Sequence, residues 1–311
     1  MASQQVPWLT VSGFGAHIKS TPTHLIIQRK GEVENHPLRS VRHLVIAGGH
    51  TIHTAAIANL LRAGAAISFL DQDSNPVGFL HPPLRHPDEE VRAAQKLAPA
   101  HRYALAIATG AMGERMRRLG ALGEVAGAPV LYQGELEFLE TSLREMEFLV
   151  KLDEVRRLFS LATDMYYEIL SRTLPPDLGF RRRTRRPHQD PVNAMLSFGY
   201  AMLFSQCMRA VTGANLDPDL GVLHEGTGSL VYDLIEPLKP AMVDDAVFEI
   251  ARKGLREGDF EYGDRRCHLS EGLVGRLLAR LYTSVDGEEI DDLVARFRDS
   301  LLDNRPFSLA G

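Results

Sequence analysis

Between residues 8 and 80 the apolar positions fall in short runs. WLTVSGFGAHI, THLIIQRKG, HLVIAGG and AAISFLDQ are β-branched and aliphatic stretches separated by Gly, Pro and Asn, a pattern that predicts strands. TAAIANLLRAG predicts a short intervening helix that stops at Gly64. SNPVGFL predicts a turn and one more strand. From about residue 88 the period becomes helical. EEVRAAQKLAPAHRYALAIATGAMGERMRRLGAL carries Ala, Leu and Arg at helical spacing. ELEFLETSLREMEFLVKLDEVRRLFSLATDMYYEILSRTL repeats apolar residues every three or four positions, which predicts one or two amphipathic helices ended by Pro175-Pro176. Further helices are predicted over Pro191–Leu216, where Asp190 before Pro191 is a helix-start signature, and over Leu269–Val285. The change of period falls within HPPLRHPDEE. It predicts an α+β protein with a small N-terminal β-rich domain, residues 1–86, followed by a larger all-α-helical domain, residues 87–311.

The chain has 311 residues, 44% of them hydrophobic, enough for one large core or two smaller ones. A formal net charge of −5 excludes a blanket polycation, so any nucleic-acid surface must be a local patch. Cys207 and Cys267 stand in unrelated contexts with no Cys-x-x-Cys or zinc pattern, and a reducing, cytoplasmic location fits. MASQQVPWLTVSG lacks the basic region and apolar core of a signal peptide, and no run of about 18 apolar residues predicts a membrane span. Neither Gly13–Gly15 nor Gly48-Gly49 makes a phosphate loop, and Ser12, Ser197 and Ser229 are outside any Gly-x-Ser-x-Gly elbow.

Two stretches carry candidate chemistry. GVLHEGTGSLVYDLIEPLKP places His224, Asp233 and Glu236 within thirteen residues. Asp233 and Glu236, three apart, share one face of a helix. The turn-forming GTGS can fold His224 back onto that face. Nitrogen and oxygen donors together suit Mn²⁺, and Mg²⁺ can use the carboxylates. The same spacing also suits a surface histidine beside ordinary helix-start acids. In GFRRRTRRPHQDP, Arg181, Arg182, Arg183, Arg185 and Arg186 fall within six residues. Phosphate contact and a solvated basic loop both fit that composition.

RRPHQDPVNAMLSFGYAMLFSQ, LDPDLGVLHE and SLVYDLIEPLKPAMVDDAV resemble the CRISPR-associated spacer-acquisition integrase family, the universal endonuclease of CRISPR adaptation. VSGFGAHI, SVRHLVIAGG, AGAAISFLDQDSNPVGFLHPP and GDFEYGDRRCHLSEG match the same family in the same order. The resemblance implies a β-rich domain that forms a homodimer and an all-helical catalytic domain. It further implies a small ferredoxin-like adaptation partner, and double-stranded DNA as both spacer precursor and CRISPR repeat. The implied activity is Mg²⁺- or Mn²⁺-dependent strand transfer. A 3′-hydroxyl of a captured fragment attacks a phosphodiester at the repeat border of the array. On this pattern His224 and Glu236 are metal ligands, and Asp233 is the neighbouring acid that supports them.

One position departs. The family carries a further metal-binding glutamate seven residues before an aromatic pair. Counting back from Tyr166 in LFSLATDMYYEIL gives Phe159, with Ser160 in place of the following glycine. Glu154 and Asp164, five residues to either side, lie about 140° away around a helix. Two readings follow: a working integrase, or a degenerate member that captures DNA with weak or absent strand transfer.

Overall fold

The computed structural model describes residues 8–82, 88–125 and 128–309. The leader reading over residues 1–7 and part of the domain-boundary stretch, residues 83–87, lie outside them. The chain divides into two compact units, Met1–Pro87 and Asp88–Gly311. Among the described residues, no helix is long and apolar enough to cross a membrane.

The first unit is built on β1 (Trp8–Ser20), β2 (His24–Arg29), β3 (Glu32–Pro37), β4 (His43–Ile52), β5 (Ala66–Leu70) and β6 (Pro76–Leu80). They form one sheet in the order β3-β2-β1-β4-β5-β6, with β1 parallel to β4 and β4 parallel to β5. Helix α1 (Thr54–Arg62) makes the crossover from β4 to β5 and buries Ala56 and Leu60. Val11, Ile18, Leu25, Leu44 and Ile67 complete that core. Gly13 and Gly48 are partners across β1 and β4. Gly48 has φ +104°, and a Cβ there would lie 2.1 Å from the Gly13 carbonyl oxygen, so only glycine fits. The strand pattern missed β3, because EVENHP is exposed at all but one position and has no apolar alternation to read.

The second unit contains α2 (Glu89–Leu97), α3 (Ala100–Gly120), the short pair β7 (Glu124–Val125) and β8 (Ala128–Pro129), α4 (Gln133–Met146), α5 (Leu152–Ser171), α6 (Pro191–Gly213), α7 (Ser229–Ile235), α8 (Asp245–Arg252), the hairpin β9 (Phe260–Tyr262) and β10 (Cys267–Leu269), α9 (Glu271–Ser284) and α10 (Gly287–Leu302). The long periodic stretch thus resolves into α4 and α5. Helix α6 is apolar on nearly every face and is buried along most of its length, as a central helix must be. Asp190 caps it by accepting the Asn193 N–H at 2.7 Å, with Pro191 in the first turn. Helix α3 packs on α4 and α5, while α10 packs on α2 and α6. Between α7 and α8 the chain passes through a turn at 236–238 and then a π-type turn at Pro240–Asp244. Pro240 has no N–H to give to the preceding turn, and the wider turn accommodates the loss.

Candidate functional site

The loop before α7 is fastened from inside. Asp219 accepts the Gly228 N–H at 2.7 Å, and the Ser229 hydroxyl accepts the Gly221 N–H at 2.8 Å. Asp233, on α7 and fully buried, accepts the backbone N–H groups of Val222, Leu223 and His224 and the His224 ring Nδ1–H at 2.8 Å. Its oxygens are fully committed to these four donors. Because a carboxylate only accepts, the contact keeps a proton on His224 Nδ1. The His224 side chain is 37% exposed. From α5, Arg156 donates to the Val222 carbonyl at 3.2 Å and pairs with Glu225, fixing the other side of the same loop.

Glu236 continues from the end of α7, and its Oε1 lies 3.5 Å from His224 Nε2. The structure therefore brings together all three residues of the sequence motif. It adds two that sequence reasoning missed. Arg115 on α3 reaches Glu236 Oε2 at 2.6 Å, and Lys239 reaches Oε1 at 2.5 Å. Burial alone would raise the Glu236 carboxyl. Lys239, Arg115 and then His224 outweigh it and hold the group at about 2. Arg115 was legible as an anomaly: Ala104, Ala108, Ala111, Arg115 and Leu119 form one buried stripe of α3, and an arginine on a core stripe needs an anionic partner. Lys239 stands three residues after Glu236, one turn along the same face.

Phe159 is at this cluster. It is buried, and the Arg115 guanidinium lies 5.2 Å from its ring centroid and 5.7 Å from that of Tyr166. Glu154 and Asp164 are exposed on other faces of α5, as the helical angle requires, and neither replaces a ligand at position 159. Behind the ion pairs, Tyr166 donates to Asp244 at 3.0 Å, Tyr200 donates to the same carboxylate, and the Tyr167 and Tyr200 hydroxyls are 2.5 Å apart. Burial lifts Asp244 to about 6, against the pull of Tyr200, Arg115, Tyr166 and Lys239.

The five arginines do not act alike. Arg181, Arg182, Arg185 and Arg186 are exposed. Arg183 turns inward and donates to Asn193 Oδ1 at 2.6 Å and to the Ser197 hydroxyl at 3.1 Å, with its guanidinium 5.3 Å from the Tyr200 ring centroid. Arg183 pins the loop to α6. His188 secures the same loop through Thr184 at 2.9 Å and Ser197 at 2.6 Å. Lys239 Nζ is 5.0 Å from the Tyr200 ring centroid that Arg183 also meets, so the arginine loop and the Glu236 cluster adjoin. On the His224 side, burial raises the Tyr232 hydroxyl while the Arg186 charge draws it back, and the Tyr232 ring is 6.1 Å from that of His224.

The expected Mg²⁺ or Mn²⁺ would need His224 Nε2, Glu236 and a third ligand. Position 159 offers a phenyl ring, Asp233 is committed to four donors, and each Glu236 oxygen already meets a cation. Among the described residues, no group of three or more His, Cys, Asp or Glu side chains is placed to hold a metal ion. These side chains alone do not fit a divalent cation.

Residues 9–282 match the family described as CRISPR associated protein Cas1. A Methanospirillum hungatei protein named "Putative CRISPR-associated endonuclease Cas1 2" is 39% identical over 300 residues, covering 96% of this chain and 99% of that protein. A structure titled "Cas6-RT-Cas1--Cas2 complex" aligns with TM-score 0.83 at 20% identity, over 97% of this chain and 36% of the other. A "Casposase bound to integration product" aligns with TM-score 0.82 at 18% identity, over 97% and 93%. At these identities the two structures speak for the shared fold. The family match runs from β1 into α9 and takes in Phe159, His224, Asp233 and Glu236, so the chain belongs to the Cas1 family of CRISPR-associated proteins.

Proposed function

We propose that this protein serves CRISPR adaptation as a DNA endonuclease and integrase that inserts foreign fragments as spacers into a CRISPR array. In that reaction a 3′-hydroxyl oxygen of the fragment bonds to phosphorus at the repeat border, and the bond from that phosphorus to the original strand's oxygen breaks. The observation that carries the reading is the His224–Asp233–Glu236 cluster beside the exposed arginines of the 181–186 loop. Asp233 holds His224 by its Nδ1–H, and the partly exposed imidazole is placed to exchange a proton with an attacking hydroxyl. Arg181, Arg182, Arg185 and Arg186 meet DNA phosphates, and Arg183 holds their loop in place.

The names of relatives support this reading: one is called a putative CRISPR-associated endonuclease, and one similar structure holds an integration product. The partner set follows the same line. It comprises double-stranded DNA, a second copy of this chain joined through the β-rich unit, and a small ferredoxin-like partner of the Cas2 kind, whose name stands in one similar complex.

A second reading rests on Phe159. With a phenyl ring against Arg115, the chain is a degenerate member that captures DNA and transfers strands weakly or not at all. Strand transfer measured with a fragment bearing free 3′-hydroxyls, a supercoiled target and the partner, with and without Mg²⁺ or Mn²⁺, separates the two. Activity lost in both His224→Ala and Glu236→Ala supports the integrase. DNA binding without transfer in the parent supports the capture subunit, and transfer indifferent to both substitutions refutes the assigned cluster.

A further inference from the structure

The ion pairs around Glu236 have the arrangement of a filled cation site. Arg115 and Lys239 approach opposite oxygens of one carboxylate, and that carboxylate is 4% exposed. Arg115 is itself 3% exposed. It has the Ala111 carbonyl as a further acceptor at 3.2 Å and the Phe159 ring against its guanidinium. The other carboxylate of the cluster, Asp233, is matched by backbone N–H groups and the His224 ring. Counted by formal charge, Arg115, Glu236 and Lys239 together carry one net positive charge. A divalent cation at His224 Nε2 and Glu236 would have to displace or sit beside two existing cations, with no carboxylate at position 159 to offset them. A glutamate there would change that balance by one negative charge, whereas the phenyl ring supplies only an apolar face on which the guanidinium packs.

We infer that the Arg115–Glu236–Lys239 chain takes the place of a resident divalent cation, and that the cluster receives a DNA phosphate through Lys239 with no metal bound. This rests on the DNA-handling reading above and specifies how that site meets its substrate. Glu236 then serves as a fixed counter-ion rather than a ligand. It aims the Lys239 ammonium, and Arg115 secures the far oxygen from the protein interior. Lys239 retains partial exposure, 14% of its side chain, and His224 more than twice that. Phosphate charge is then met by the Lys239 ammonium already held in place.

The test has two independent arms on the full chain. In the first, Mn²⁺ is titrated without DNA and followed by calorimetry and by electron paramagnetic resonance. The expected result is no saturable binding in the millimolar range, with a binding site gained in Phe159→Glu. A single saturable site in the parent that His224→Ala removes would overturn the inference. In the second, affinity for a fluorescent duplex is measured in EDTA and in Mg²⁺. The two values should agree within about twofold, and Lys239→Gln should weaken binding about tenfold, the worth of one charge-assisted hydrogen bond. Lys239→Arg should restore most of that loss, which a folding defect in Lys239→Gln would not predict. Affinity that collapses in EDTA, or that ignores Lys239→Gln while Arg182→Ala lowers it, overturns the inference and leaves DNA handling intact. A parent that binds no DNA under any condition defeats the functional reading itself and with it the phosphate contact, while the Mn²⁺ arm still judges the cation chain.

Discussion

Replacing Arg115 with methionine removes the cation that holds the inner oxygen of Glu236. The Glu236 carboxyl lies at about 2, compared with an ordinary 4.5. A depression of about 2.5 units corresponds to about 3 kcal/mol of favourable interaction with the ionised form. Lys239 and His224 remain in the variant, but a carboxylate that is 4% exposed loses its buried partner. Breaking such a pair costs about 3–5 kcal/mol, and the surviving Lys239 places this case near the lower end. For a unit of the size of Asp88–Gly311, about 3 kcal/mol lowers the melting temperature by about 6–12 °C. The sign with pH follows from the depressed value. The stabilisation is complete above the ordinary carboxylate range and is lost as pH falls toward 2, and in Arg115→Met the loss begins at higher pH. Thermal unfolding followed by circular dichroism from pH 3 to 8 measures both effects. Arg115→Met with Glu236→Met should recover most of the stability, because the orphaned charge has gone. A single variant melting within about 2 °C of the parent, or strict additivity of the two substitutions, would refute the argument that this ion pair is a buried structural element.

Asp244 titrates with the opposite sign. Its folded value is raised to about 6 from 3.8, so the fold loses about 3 kcal/mol as pH rises through that window. Asp244→Asn should gain on the parent across it, and a melting difference that ignores pH would count against the buried carboxylate. Gly48→Ala combines φ +104° with a 2.1 Å approach to the Gly13 carbonyl. It should destabilise the β-rich unit by about 2 kcal/mol or more in denaturant unfolding, and a neutral outcome would mean that β1 and β4 can separate there. Arg182→Ala with Arg185→Ala should lower DNA affinity similarly across unrelated sequences. The pair should also reduce the slope of log affinity against log salt by about 2, measured by anisotropy, and an unchanged slope would assign the exposed arginines another role.

Much of the fold follows local pattern. β1 and β4 are continuous runs of branched and aliphatic residues, and α6 announces itself with Asp190 and Pro191. β3 escapes because its side chains are exposed and its place is set by backbone pairing with β2. α10 was not marked out either, although Ile290, Leu293, Val294, Phe297 and Leu301 line its buried face, with Asp286 as cap. At the site, sequence spacing grouped His224, Asp233 and Glu236, and the family pattern located the departure at Phe159. Neither could place Arg115 there. It comes from 121 residues away, and the helix that bears it carries other arginines that are solvent-exposed or paired on the surface. Arg183 shows the reverse failure. It reads as one basic residue of five, but only the fold shows that Asn193 and Ser197 claim it.

The wide turn at Pro240–Asp244 constrains how this chain can vary over generations. A local search would treat Leu238 to Ala251 as plain helix, a segment where losing one residue looks harmless. Removing one would let the backbone run on as a regular α-helix, and everything downstream would swing by about 100°. Asp244 would leave the hydroxyls of Tyr166 and Tyr200, and the buried edge of α8 would rotate toward water. Substitutions can accumulate in this stretch one at a time, but a change of length has to be met by simultaneous changes in α5, α6 and α8. Sister sequences that keep the tyrosine pair and its acid should therefore align through this turn without a gap, even where the side chains around it have drifted.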